Sequence, residues 1–167
     1  MPECSDWIIF GLGVLVTVGW AIYLYSLRPK IIIANPSISE QNKNKCINVP
    51  ILNVSTIFRA SRILIEIAIV QKEYTYHLKS DIQDFAFLPR KRKNEDPKRV
   101  FKAYKPNDFL TTIFDFDMDN LLVILNQPDS TLRIRVHATH SFSGLGKAFE
   151  QNFKYINSTF KKINNKK

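Results

Sequence analysis

Two hydrophobic patterns divide the chain. Residues 7–27, WIIFGLGVLVTVGWAIYLYSL, form an uncharged and almost wholly apolar run. At about 1.5 Å rise per residue this run makes a helix of roughly 32 Å, enough to cross a hydrocarbon core of about 30 Å. Beyond it the apolar positions become short and alternate with polar ones. In RILIEIAIVQ, 62–71, Ile63, Ile65, Ile67 and Ile69 share one face, while Arg62, Leu64, Glu66 and Ala68 share the other. TLRIRVHAT, 131–139, alternates in the same way, with Leu132, Ile134 and Val136 inward. Both stretches predict half-buried strands.

Shorter runs predict further strands at 30–34, 46–55, 73–78, 84–89 and 100–104, with Pro50 at a bulge or an edge. Residues 35–45 read as a polar loop and 90–99 as a charged one, while 109–116 are apolar and ambiguous. DMDNLLVILN, 117–126, predicts a short helix capped by Asp117 or Asp119, with Leu121, Leu122 and Leu125 facing the core. Phe149, Phe153 and Ile156 predict a last strand or helix packing back, and 161–167 read as a basic disordered tail. Seven or so short strands with turns between them point to a mainly β domain over residues 28–160. A β-sandwich or a small β-barrel with one short helix fits that pattern.

One stretch narrows the fold. Asn53-Val54-Ser55, then Ala60, then the alternating run from Arg62, resembles the strand-turn-strand pattern of generic immunoglobulin-like modules. The resemblance covers roughly residues 46–70. It implies a strand ending at the Asn and the next one opening after the Ala. It implies nothing about activity, since fold does not fix function.

The apolar run reads as a membrane span rather than a cleaved signal peptide. Its start, MPECSD, carries Glu3 and Asp6 and no basic residue, and no small-residue cleavage pattern ends it. Arg28 and Lys30 follow at once. The positive-inside rule then puts the C-terminal domain in the cytoplasm, at the inner (cytoplasmic) membrane, with residues 1–6 outside. Trp7, Tyr23 and Tyr25 suit interfacial aromatic belts. Within the run Gly13, Thr17 and Ala21 recur every four residues, a spacing that lets two helices approach closely.

Charge changes the picture of partners. All 24 basic residues and 13 of the 15 acidic ones lie beyond residue 27, a formal +11. That balance favours anionic partners, the bilayer surface first among them. The joint abundance of Ile, Asn and Lys is the composition of an AT-rich genome and accounts for part of it. Arg90, Lys91, Arg92 and Lys93 form the compact basic run, which reads first as a solvated loop and, beside a membrane tether, as a contact for anionic lipid. No aromatic residue is interleaved there to stack bases, which argues against nucleic acid. The two cysteines, Cys4 and Cys46, fall on opposite sides of the span, so no disulfide framework or cysteine-based metal site is expected.

Candidate chemistry is thin. His137 and His140 lie near Ser141 and Ser143, but residues three apart on a strand face opposite ways. Asp115, Asp117 and Asp119 echo the start of a calcium loop, yet Asn120 and Asn126 stand where that loop needs Gly and Glu. Gly144, Gly146 and Lys147 could offer backbone N–H groups and a charge to an anion, without the spacing of a phosphate loop. No coherent catalytic set, metal site or cofactor motif emerges. The expectation is a membrane-anchored, non-enzymatic binding or assembly module, partnered by another protein or by self-association through the span. The alternative is a membrane effector that senses a small, nucleotide-like anion and oligomerises through its helix.

Overall fold

The computed structural model describes residues 4–26, 28–41, 44–55, 59–72, 74–80, 84–89, 91, 98–106, 118–141 and 143–163. It begins with α1 (Cys4–Ser26), which contains the apolar stretch Trp7–Tyr25. That stretch is long and apolar enough to cross a membrane, and none of it is buried against the rest of the chain.

Among the described residues ten antiparallel strands follow: β1 (Ile31–Ile33), β2 (Ser37–Gln41), β3 (Asn44–Asn53), β4 (Ala60–Val70), β5 (Thr75–Ser80), β6 (Asp84–Leu88), β7 (Lys98–Pro106), β8 (Thr131–His140), β9 (Gly146–Ile156) and β10 (Thr159–Ile163). A short helix, α2 (Met118–Leu125), precedes β8. The hydrogen-bonded order is β1-β3-β7-β5-β4-β8-β9-β10, with β2 also on β3 and β6 also on β4. β5 joins the two halves of this ladder, pairing with β4 through residues 75–78 and with β7 through 78–80. β1, at one end of the order, lies against β9, near the other end.

The alternating positions meet in one core. Ile63, Ile65, Ile67 and Ile69 of β4 are buried with Leu132, Ile134 and Val136 of β8 and Ile47, Val49 and Ile51 of β3. Leu121 and Leu125 of α2 join them, and Leu122 packs partly buried against the cluster. The helix begins at Met118, so Asp119 lies inside it rather than capping it; Asp115 and Asp117 lie outside the described residues.

Three departures from the alternation have local causes. Residues 37–41 form a strand although SISEQ is polar, because β2 covers β3 with Ile38 alone packed against the core. Pro50 sits in an interior strand, between β1 and β7. Its carbonyl accepts a bond from Ala34 N at 2.9 Å, so its missing N–H would point the same way, toward the gap at residues 34–36 between β1 and β2. The third is a bulge in β4. Arg62 has φ +48°, and the register with β8 shifts between Ser61 and Leu64. The extra residue lets both Ala60 and Ile63 face the core.

The C-terminal reading is corrected in one respect. Residues 161–163 are part of β10, not of a disordered tail; Phe160 is buried against the core and its ring centroid lies 4.9 Å from that of Tyr155. Residues 164–167 lie outside the described residues.

Candidate functional site

Strand directions sort the domain into two ends. β1 starts opposite the end of β3, with Ile31 on Asn53. β4 starts opposite the ends of β6 and β8, with Ala60 on Leu88 and on His140. β7 starts opposite the end of β3, with Leu52 on Lys98. The exit from α1, the β3–β4 connection, the end of β6, the start of β7 and the β8–β9 turn therefore all lie at one end. α2 and the β9–β10 turn lie at the other.

The passage from helix to sheet is short and anchored. Five residue steps separate Ser26 from Ile31, at most about 17 Å of extended chain. Arg28 lays its guanidinium over the Tyr25 ring, 3.9 Å from its centroid, a cation–π contact at the helix boundary. Pro29 is buried, and the Lys30 carbonyl accepts a bond from Val54 N at 2.9 Å. Lys91, from the basic run, is tied to the same connection: its N–H donates to the Ser55 carbonyl at 2.9 Å. Arg90, Arg92 and Lys93 lie outside the described residues.

Asn53 organises this corner. It is fully buried, its Oδ1 accepts from Ser55 N at 3.1 Å, and its Nδ2 donates to the Leu88 carbonyl at 3.5 Å. The Asn53-Val54-Ser55 triplet is thus a structural turn joining the β3, β4 and β6 ends, where the immunoglobulin-like resemblance places a strand end. β4 opens at Ala60.

The β8–β9 turn is closed from inside. His140 is 2% exposed. Its Nδ1 accepts from Ser143 N at 3.0 Å and contacts Ser143 Oγ at 3.2 Å. Gly144, at φ +67°, donates its N–H to the His140 carbonyl, and Leu145 N donates to Ser143 Oγ at 3.3 Å. Positive φ favours glycine at 144. At 146 it does not: a Cβ there would meet Thr139 Cγ2 at an ordinary 3.6 Å. The N–H groups of Ser143, Gly144 and Leu145 all donate within the turn, and Lys147 beside it is exposed. Burial holds the His140 imidazole below the ordinary histidine range. Protonating Nδ1 would also forfeit the bond from Ser143 N. His137 faces the other side of β8, as its spacing from His140 requires.

The end as a whole is basic. Arg28, Lys30, Arg59, Lys91, Arg99 and Lys147 come from five separate stretches, and all but half-buried Arg28 are exposed. Among the described residues of this end none is acidic. Phe87 lies here too, 47% exposed, with the Arg59 guanidinium 5.3 Å from its ring centroid. Sequence reading found Lys91 and Lys147 but not Arg59 or Arg99, because their convergence follows from strand register rather than from spacing along the chain.

Away from this end, a charge ladder crosses three strands. Glu150 accepts from Arg135 Nη2 at 2.7 Å and from Nε at 3.1 Å, and Glu66 lies 3.7 Å from Nη1. The hydrogen bond and charge of Glu150 raise the Arg135 pKa further, so the group stays charged throughout. The described residues contain no cluster of three or more potential metal ligands. On α1, Gly13, Thr17 and Ala21 are exposed; nothing stands within 4 Å of a Cβ built on Gly13, and Thr17 Oγ1 donates to the Gly13 carbonyl at 2.8 Å.

Compared with known proteins, the chain matches no family model, and no curated protein is significantly similar to it.

Proposed function

We propose that this chain is a single-pass membrane protein whose β domain is a non-enzymatic binding or assembly module held at the bilayer surface. One observation carries the reading. α1 is apolar on all sides over Trp7–Tyr25, and none of that stretch is buried by the rest of the chain. A helix of that kind is covered either by protein or by lipid, and here the chain supplies no protein cover. The absence of basic residues before Arg28 supports a cytoplasmic β domain at the inner membrane, with the N-terminus outside.

The finer fold belongs to the same proposal. β5 links two halves of the ladder, β1 lies against β9, and both halves feed one core. These features support a curled sandwich or small barrel over an open sheet. Gly13, Thr17 and Ala21 supply a smooth stripe for self-association in the membrane. Thr17 bonds within its own helix, so close packing would drive that association rather than a hydroxyl bond between helices.

Affinity capture of the full chain from detergent-solubilised native membranes tests the module. A stable, stoichiometric second protein is the expected result. Recovery of the chain as a homo-oligomer that forms only with an added phosphorylated metabolite would replace this reading with that of an anion-sensing effector.

A further inference from the structure

The basic end of the domain and the helix exit coincide, and this coincidence specifies what that end faces. We propose that the α1-exit end is a lipid-docking face, which seats the β domain end-on against the anionic headgroups of the leaflet from which the helix emerges. The inference rests on the membrane-anchored reading and adds to it a fixed orientation and a lipid class.

Three features support it. The first is reach: at most about 17 Å of chain separates α1 from β1, so this end cannot leave the surface region. The second is charge. Lys30, Arg59, Lys91, Arg99 and Lys147 are exposed at this end, and no described residue there is acidic. Described acidic residues on the domain lie elsewhere: Glu66 and Glu150 within their strands, Asp84 opposite Leu64 and so four residues in from the start of β4, Glu40 opposite Lys45 on β3, Asp119 in α2, and Asp129 at the far end beside Lys72. The third is the mixture of chemistry. Phe87 is exposed beside Arg59, and Arg28 stacks on Tyr25. Basic side chains with aromatic rings among them are what a bilayer interface takes up.

A phosphate-selective pocket fits less well. The basic residues come from separate strand ends rather than converging on one point, and the β8–β9 turn uses its own N–H donors. A broad charged end matches a charged plane.

The test uses the full chain carrying Cys4→Ser, reconstituted in nanodiscs of phosphatidylcholine alone or with phosphatidylglycerol. One nitroxide is attached at Ser141→Cys, at the docking end. A second sample carries it at Asn126→Cys, at the far end. Both positions are exposed, while Cys46 is fully buried and escapes labelling. Relaxation by a nickel-chelating lipid reports proximity to the bilayer. Anionic nanodiscs should raise it several-fold at position 141 and leave 126 unchanged, and 0.5 M salt should reverse the rise. The variant Lys30→Gln/Arg59→Gln/Lys91→Gln/Arg99→Gln should weaken docking by at least about tenfold. Equal relaxation of wild type in neutral and anionic nanodiscs, or an unchanged response in the quadruple variant, would overturn the proposal. Failure of the chain to enter nanodiscs would instead overturn the anchored reading beneath it.

Discussion

His140 is where a single side chain most visibly controls local structure. It closes the β8–β9 turn through Nδ1 and is nearly inaccessible to solvent. Its folded pKa lies below the unfolded value of about 6.5. The unfolded chain therefore takes up this proton first as pH falls. The stabilisation is complete above the unfolded value and is lost progressively as pH drops toward the folded one. Thermal melting of the full chain in mild detergent should show a midpoint several degrees lower at pH 5 than at pH 7.5. His140→Gln should narrow that gap. A gap of the same size in the variant would assign the acid sensitivity to other groups.

At the scale of elements, the β9–β10 hairpin offers a sharper test. Its two turn residues, Asn157 and Ser158, both have positive φ, 50° and 59°. Ile156 and Thr159 pair directly across it. This is the primed turn that matches strand twist, and it favours Asn followed by Gly. Ser158→Gly should relieve left-handed strain and stabilise the protein by about 0.5–1 kcal/mol, while Ser158→Val should destabilise it. A lower melting temperature for the glycine variant would contradict the assigned turn. The same hairpin shows why sequence reading stopped short. Lys161 and Lys162 read as the start of a tail, because an edge strand with one buried residue, Phe160, carries almost no periodic signal. β2 was missed for the same reason. β4, β8 and α2 were legible because their inward positions are filled by Ile, Leu or Val at the period of the element. The bulge at Arg62 left no signal, since Arg is not a residue that announces positive φ.

At the scale of the whole molecule, the candidate site could not be read from spacing. Arg28, Arg59, Lys91, Arg99 and Lys147 are scattered over some 120 residues, and only antiparallel register gathers them at one end. What the sequence did carry was the asymmetry behind the site: no basic residue before Arg28 and a formal +11 after residue 27. Under the proposed lipid docking, the β domain and the apolar helix would act as one device, in which a short, anchored connection turns a tether into an orientation.

That device exists only if α1 remains attached and lies in the bilayer. The most direct measurement is the intact mass of the chain recovered from native membranes after an alkaline carbonate wash. The membrane-anchored account predicts that the chain stays in the pellet with a mass that still includes the apolar run of residues 7–27, and that the same chain lacking residues 1–27 is released. Release of the full-length chain into the wash, or its recovery in a form shortened by removal of the apolar run, would contradict it.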